Sequence, residues 1–403
     1  MSHLSLKHVC KVNTRTLSDR ADQDQEIRYC DVTSVERGQL TVPSETVRFG
    51  DAPSRARRLT KTGDSVISTV RPYLKAVAQV PESDDLLVFS TAFAVLEPDL
   101  QRIDPRFLYW ALQSDSFTFE ATRRSVGVSY PAITAEDLIR IKIDLPDLSR
   151  QARIVRFLDE HTAKIDQLVE KQHQLIALAE SRLRIKAERL AWGLGRSDCG
   201  TKSPIVEPPS GWVSIKNKAL LKHVDVRSVT GEEELLSVSH ITGVTPRTMK
   251  NVNMFEAESN VGYKLVEPGQ LAINTMWAWM GALGVSEYSG IVSPSYDVYQ
   301  FRDSDQVEGK YFDLAYRTQT YVDLMRANSR GIWSSRLRLY PEVFLSLPMV
   351  VPPLLEQKRI AAHYEEARAD AEKLVTTTQR AIDLALERRA ALVTAAVTGQ
   401  IEV

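Results

Sequence analysis

Arginine supplies a planar fork that matches phosphate oxygens and guanine edges, so arginine-rich segments with glycine, serine and aromatic neighbours are the first candidates for chemistry. Three such segments stand out. The window Arg48 to Lys61 holds Arg48, Arg55, Arg57, Arg58 and Lys61 with one acid, and Arg55, Arg57 and Arg58 are expected in a loop. Arg123 and Arg124 precede Gly127-Val128-Ser129-Tyr130-Pro131, another expected loop. Arg326, Arg330, Arg336 and Arg338 surround Gly331-Ile332-Trp333-Ser334-Ser335, with no acid between Leu324 and Pro341. The residues singled out for DNA contact are Arg48, Arg55, Arg57, Arg58, Lys61, Arg123, Arg124, Ser129 and Tyr130, then Arg330, Trp333, Arg336 and Arg338. One basic loop alone reads more simply as solvated surface; loops at corresponding places in two halves carry more weight. Trp277 and Trp279 read as core residues in preference to a binding loop.

Catalytic chemistry has little to build on. There is no GxGxxG between a strand and a helix, no GxxxxGK[ST] and no HExxH, and the seven histidines are scattered. Glu356-Gln357-Lys358 could be half of a metal-dependent nuclease site, but no Pro-Asp precedes it on a nearby strand. It reads instead as the first turn of a helix, where the dipole favours an acid. The expectation is no catalytic residue, no metal site and no cofactor bound by this chain.

Composition agrees. The 403 residues are 43% hydrophobic and 26% charged, with 51 basic against 52 acidic side chains, so the chain is globular and is no bulk polycation. Cys10, Cys30 and Cys199 form no CxxC pair, which fits a reducing cytoplasm. No run of 18 apolar residues exists, and the opening segment has no signal-like apolar core, so neither a membrane span nor a leader is expected.

Two long helices must position the arginine loops. Between Arg150 and Leu194 there is no proline and no glycine before Gly193. Ile154, Leu158, His161, Ile165, Leu168, Gln172, Leu175 and Ala179 fall at alternating spacings of four and three, which is a heptad seam. His161 reads as a core histidine with polar company, and Gln172 as either a register-fixing or a partly exposed position. The helix would run about 45 residues, roughly 65–70 Å. From Leu355 to Thr398 the pattern recurs with Ile360, Tyr364, Ala367, Ala371, Leu374, Thr378, Ala381 and Ala385, each 206 residues after its counterpart. Pro146 and Pro352 precede the helices; Gly193 and Gly399 end them. Upstream, Leu6-Lys7-His8-Val9 recurs as Leu221-Lys222-His223-Val224, and Phe107 to Leu112 echoes Tyr311 to Tyr316. β-like runs at Ser65–Val70, Leu86–Leu96 and Ser295–Phe301 make each globular half α+β. The chain is therefore a duplicated unit, a globular half of about 145 residues followed by a long helix.

At this point the sequence resembles a type I restriction–modification specificity subunit. The resemblance rests on Pro352-Pro353-Leu354-Leu355-Glu356-Gln357-Lys358-Arg359-Ile360, on Glu387-Arg388-Arg389-Ala390-Ala391-Leu392, and on Ala396-Val397-Thr398-Gly399-Gln400-Ile401. Gly127 to Ile133, Ile141 to Pro146 and Pro208-Pro209-Ser210-Gly211-Trp212 add to it. Ser149-Arg150 replace the expected acidic pair before Gln151, and Trp192 stands where the second copy has Thr398. The resemblance implies target-recognition domains at 1–147 and 211–352, long spacer helices at 148–195 and 353–403, and a linker at 196–210. The helices would pair antiparallel, giving a pseudo-two-fold internal repeat. It implies a cytoplasmic, non-catalytic subunit that reads a bipartite double-stranded DNA target. Its partners would be two DNA adenine methyltransferase subunits and a restriction (motor/nuclease) subunit, which use S-adenosylmethionine, ATP and Mg²⁺. The competing reading is a homodimeric coiled-coil DNA-binding regulator; a third is an enzyme with an unrecognised site. Duplication favours the first, since a homodimer gains two-fold symmetry without an internal repeat.

Overall fold

The computed structural model describes residues 2–36, 38–195, 205–249, 259–331 and 337–403. The chain divides into two compact units, the first made of residues 1–173 with 379–403, the second of 174–378. Each combines an α+β globular part with segments of both long helices, Leu148–Trp192 and Leu354–Val397.

In the first unit a four-stranded sheet runs in the order Cys10–Val12, Phe93–Pro98, Ser65–Ser68, Val77–Gln79, all antiparallel. The second unit repeats that order with Leu221–Val224, Asp297–Phe301, Leu271–Ile273 and Leu283–Val285. A two-stranded ribbon leads into each long helix, Ser2–Ser5 with Lys142–Leu145 and Val213–Lys216 with Pro348–Val351. Two short helices follow each sheet, Pro105–Gln113 with Asp115–Arg123 and Gly309–Arg317 with Gln319–Asn328.

The topology corrects two readings of the repeat. Leu6–His8 is a 3₁₀ turn, whereas Leu221–Val224 is a strand whose place in the sheet matches Cys10–Val12. Four shared residues are too few to fix a register. The run Leu86–Leu96 is two strands, Leu87–Ser90 and Phe93–Pro98, turning at Thr91-Ala92 into different sheets. The first of these belongs to a sheet of the first unit with order Val47–Arg48, Glu26–Cys30, Leu87–Ser90, Ala56–Leu59. In the second unit the corresponding stretch forms two-stranded pairs, Leu236–Ser239 with Gly243–Pro246 and Lys264–Val266 with Gly290–Val292.

The glutamine of the helix-entry motif is a buried lock. Gln151 Oε1 accepts from Asp104 N at 2.8 Å, and its Nε2 donates to Pro146 O at 2.8 Å and Arg102 O at 3.1 Å. Gln357 repeats this with Glu308 N at 2.9 Å, Pro352 O at 2.9 Å and Gln306 O at 3.3 Å. Each therefore ties the first turn of a long helix to the loop before the short helices. The role of Glu356-Gln357-Lys358 is structural. Gln151→Leu removes both polar ends and leaves three backbone groups unpaired in a buried place, so about 2–4 kcal/mol of stability should be lost. Urea unfolding of the full chain measures this; a loss under about 1 kcal/mol, the worth of one ordinary hydrogen bond, would deny the lock.

Each unit is also closed by the tail of a long helix. In the first unit Asp166 receives Arg389 Nε at 2.8 Å, and Val393, Ala396 and Val397 share a core with Ile154 and Leu158, so the two helix segments run antiparallel there. Thr394 Oγ1 accepts from Asp115 N at 2.9 Å at the start of the second short helix. In the second unit Ala187, Ala191 and Trp192 share a core with Ile360, and Glu188 Oε1 accepts from Thr320 N at 3.1 Å. Thr394 and Glu188 are 206 residues apart and do the same work.

The seams are corrected in their middle. Leu168, Leu175 and Leu374 are exposed, as is Ala381, while Val169, Ile176, Val375 and Ile382 turn inward. The buried rhythm runs Leu158, Thr162, Ile165, Val169, Gln172, Ile176, Ala179, with Gln172 partly buried. Adjacent apolar residues at 168–169, 175–176 and 374–375 made the phase ambiguous in sequence, and the buried Thr162 sets it. His161 is half-buried, bonded through Nδ1 to Phe157 O at 2.8 Å and packed on the Phe157 ring. Cys10 and Cys30 are free and buried, and burial pushes both thiols up to about 12; Cys199 lies outside the described residues.

Candidate nucleic-acid interface

The window Arg48–Lys61 is mostly strand and turn. Arg48 ends the edge strand Val47–Arg48, Arg55 is in a turn, and Arg57 and Arg58 lie on Ala56–Leu59. The loop expected for Arg57 and Arg58 is thus a strand, because Val88 and Phe89 pair with Leu59 and Arg58 in register. Their alternation decides their availability. Arg57 Nη2 donates to Asp19 Oδ1 at 2.6 Å, its Nε donates to Ser54 O at 2.9 Å, and its guanidinium lies 5.3 Å from the Phe49 ring centre. Arg58 is half-buried with an unpartnered Nε, and burial lowers its pKa. Arg48 makes a loose exposed pair with Asp24 at 3.6 Å; Arg55 and Lys61 are exposed.

The second segment closes on a turn that the sequence reading passed over. Arg123 ends the short helix Asp115–Arg123 and Arg124 caps it; both donate to Glu120, whose carboxyl the bond from Arg123 holds below its usual range. Val126 and Ala132 bridge the loop Gly127–Pro131. Arg71 lies against that loop: its Nη2 donates to Ser129 O at 3.1 Å and its guanidinium sits 4.1 Å from the Tyr130 ring centre. Arg71 and Lys75 both adopt left-handed backbone, at φ 51° and 53°, a conformation that costs a non-glycine residue on the order of 1 kcal/mol. Between them Tyr73 and Leu74 are about half exposed.

The second unit builds the same place. Ile133 N donates to Thr69 O at 2.9 Å, and 206 residues on Leu339 N donates to Thr275 O at 3.0 Å. Arg330 and Arg338 bridge as Val126 and Ala132 do. The turn equivalent to Arg71–Lys75 is Trp277–Gly281, where Gly281 adopts the left-handed conformation at φ 85° that Lys75 is forced into. Trp277 is 51% exposed, which corrects its reading as core, and Met276 beside it is exposed too. Trp279 is half-buried, with the Arg326 guanidinium 5.5 Å from its ring centre. Arg338 lies 5.8 Å from the Tyr340 ring centre. Trp333 and Arg336 lie outside the described residues. The signal for the missed turn was present: Thr69-Val70-Arg71-Pro72-Tyr73 stands 206 residues before Thr275-Met276-Trp277-Ala278-Trp279.

Residues 4–177 match the family model described as the type I restriction modification DNA specificity domain. The chain has a type I specificity domain. That domain carries Arg48–Lys61, Arg71 and the Arg123–Tyr130 segment, and reaches into the first long helix. The chain is 27% identical over 156 residues to the HindI specificity subunit of Haemophilus influenzae, covering 36% of this chain and 34% of that protein. It is 26% identical over 129 residues to the MjaVIII specificity subunit of Methanocaldococcus jannaschii, covering 30% and 29%. The match thus spans about a third of each relative's length. Among solved structures, the chain resembles one from work on complex assembly and conformational transition of the type I R-M system, with TM-score 0.69 and 20% identity over 99% of this chain and 98% of that one. It also resembles the HsdS subunit from Thermoanaerobacter tengcongensis, with TM-score 0.51 and 20% identity over 99% and 97%. The fold beyond the specificity domain is therefore shared along the full length.

Proposed function

We propose that this chain is the non-catalytic DNA-recognition subunit of a type I restriction–modification enzyme and that it reads a bipartite target. The observation that carries the reading is the repeated interface: one turn of exposed aromatic and apolar groups, beside one arginine-bearing loop, built twice on the same backbone bond but with different side chains. Arg71, Tyr73 and Tyr130 in one unit against Trp277, Trp279 and Arg338 in the other make two dissimilar readers in one chain. A homodimeric regulator would present two identical ones. Arg48, Arg55, Arg58, Lys61, Arg123, Arg124, Arg330 and Arg336 serve phosphates, while Ser129, Tyr130 and Trp333 stand nearer bases.

Methylation and cleavage then belong to partners, two adenine methyltransferase subunits and a motor nuclease, which use S-adenosylmethionine, ATP and Mg²⁺. Docking falls on the exposed leucines of the long helices. Leu168 and Leu384 lie in the first unit, Leu178 and Leu374 in the second, and Leu168/Leu374 and Leu178/Leu384 are each 206 residues apart. The fold leaves these side chains in water, so Leu178→Glu with Leu384→Glu should preserve folding and abolish co-purification with the methyltransferase. No helix among the described residues is long and apolar enough to cross a membrane, and the proposed work is on cytoplasmic DNA.

Expression of the chain with its methyltransferase in a host lacking both, followed by methylome sequencing, tests the reading. One bipartite motif should become methylated, and none with either protein alone. Methyl transfer by this chain alone, or the same motif methylated without it, would overturn the proposal.

A further inference from the structure

The two units differ at one buried place, and each shows what the other lacks. In the second unit Trp192, at the end of the first long helix, is fully buried. Its ring stacks on Tyr321 with centres 6.2 Å apart and planes 7° from parallel. Its Nε1 donates to Thr318 Oγ1 at 3.1 Å, and that hydroxyl donates to Ala315 O at 2.7 Å. In the first unit the residue 206 positions on is Thr398, whose hydroxyl bonds back to Thr394 O at 2.7 Å. Ser114 stands for Thr318, with its own Oγ donating to Ala111 O at 2.8 Å, and Phe117 stands for Tyr321.

Where the second unit has an indole, the first has a cavity of about 450 Å³, lined by Ala111, Ser114, Phe117, Ile143, Val397 and Thr398. That volume falls within the range of about 300–1,000 Å³ usual for ligand sites. The counterparts of these six residues are Ala315, Thr318, Tyr321, Met349, Ala191 and Trp192, all buried in the core of the second unit. The opening is charged but balanced. Arg124 pairs with Glu120 at 3.3 Å and His3 with Asp144 at 3.2 Å, while Arg140 and Lys142 complete the lining.

We propose that this cavity receives the aromatic side chain, tryptophan or tyrosine, of a partner polypeptide, which supplies in trans the ring that Trp192 supplies in cis. The floor offers a ring to pack on, Phe117, and a hydroxyl oxygen, Ser114 Oγ, for the N–H or O–H of the incoming group. Paired charges of both signs at the mouth suit a peptide, whose backbone needs donors and acceptors together, better than a phosphate-bearing ligand, which would want unpaired cations. The second unit carries its own plug, so each chain has one such site.

Titration of the full chain with N-acetyl-tryptophanamide tests this, with N-acetyl-leucinamide and adenosine monophosphate as comparison ligands. The indole should bind saturably with one site per chain, and neither comparison ligand should compete. Thr398→Trp should fill the cavity from within, raise the melting temperature and weaken indole binding by at least about tenfold, a difference of 1.4 kcal/mol. Trp192→Thr opens the equivalent space and should raise the stoichiometry to two, with indole restoring part of the lost melting temperature; this variant carries the test if Thr398→Trp fails to fold. Absence of saturable binding, unchanged affinity in Thr398→Trp, or preference for the nucleotide would overturn the assignment. A further arm rests on the proposed function: Thr398→Trp should weaken assembly with a methyltransferase or restriction subunit. If both subunits bind that variant as they bind the parent, the partner is neither, and a polypeptide occupant is rejected; the probe titration stands apart from that reading.

Discussion

Replacing Asn217 with alanine is expected to destabilise the second unit by about 3–5 kcal/mol, among the largest losses a single substitution produces. Asn217 is wholly buried. Its Nδ2 donates to Tyr321 Oη at 2.7 Å and Phe344 O at 3.0 Å, and its Oδ1 accepts from Tyr316 Oη at 2.8 Å. Burial raises both phenols far above their ordinary range, so the two rings stay protonated and the network stays intact across neutral and moderately alkaline pH. The alanine variant strands two hydroxyls and a carbonyl at once without removing any of them. Tyr321→Phe takes away one member of the network and should cost about 1 kcal/mol. Denaturant unfolding of the full chain compares the two. If Asn217→Ala costs no more than Tyr321→Phe, the three bonds do not act as a unit. Because Tyr321 also carries the Trp192 ring, the alanine variant should shift the tryptophan emission at denaturant concentrations below the midpoint.

DNA binding by the full chain is expected to lose about 2.7 from its salt slope when Arg55, Arg58 and Lys61 are all changed to alanine, at about 0.9 for each phosphate contact removed. Affinity at low salt should fall for every sequence, not only for the target. Arg57→Ala should do much less, because Asp19 already holds that guanidinium at 2.6 Å. Asp19→Asn releases it and should steepen the slope. Binding measured across a salt series distinguishes these outcomes. An unchanged slope in the triple variant would make the strand Ala56–Leu59 and its flanks ordinary solvated surface.

The duplication and both long helices were legible because they are written in local, periodic and repeated signals: proline-opened helices, glycine ends and a constant offset of 206. Gln151 and Gln357 could be aligned in sequence, but their role could not be read, since the groups they bind lie about fifty residues away. The seam phase was lost wherever two apolar residues stand side by side, since periodicity alone does not say whether Leu168 or Val169 turns inward. Arg57 and Arg58 read as a loop because arginine pairs are common on surfaces; strand pairing through Phe89 and Arg58 is a long-range fact. Trp277 was misplaced for a related reason. A large aromatic is usually core, and only its position opposite Arg71 in the other unit marks it as a surface group. Arg71 itself was invisible without its left-handed backbone and its stacking on Tyr130.

Thr394 and its neighbours Val393, Ala396 and Val397 complete the core of the unit that residues 1–173 begin. Translation delivers those residues last. While the ribosome makes the intervening two hundred, the first unit waits with an apolar trough open along Ile154 and Leu158 and with the start of its second short helix unsatisfied at Asp115. The second unit needs no such delay, since residues 174–378 are contiguous and Glu188 and Trp192 are made before the strands they close upon. The half that is synthesised second is therefore the half that can finish first, and the nascent chain must be kept from aggregating through its oldest part.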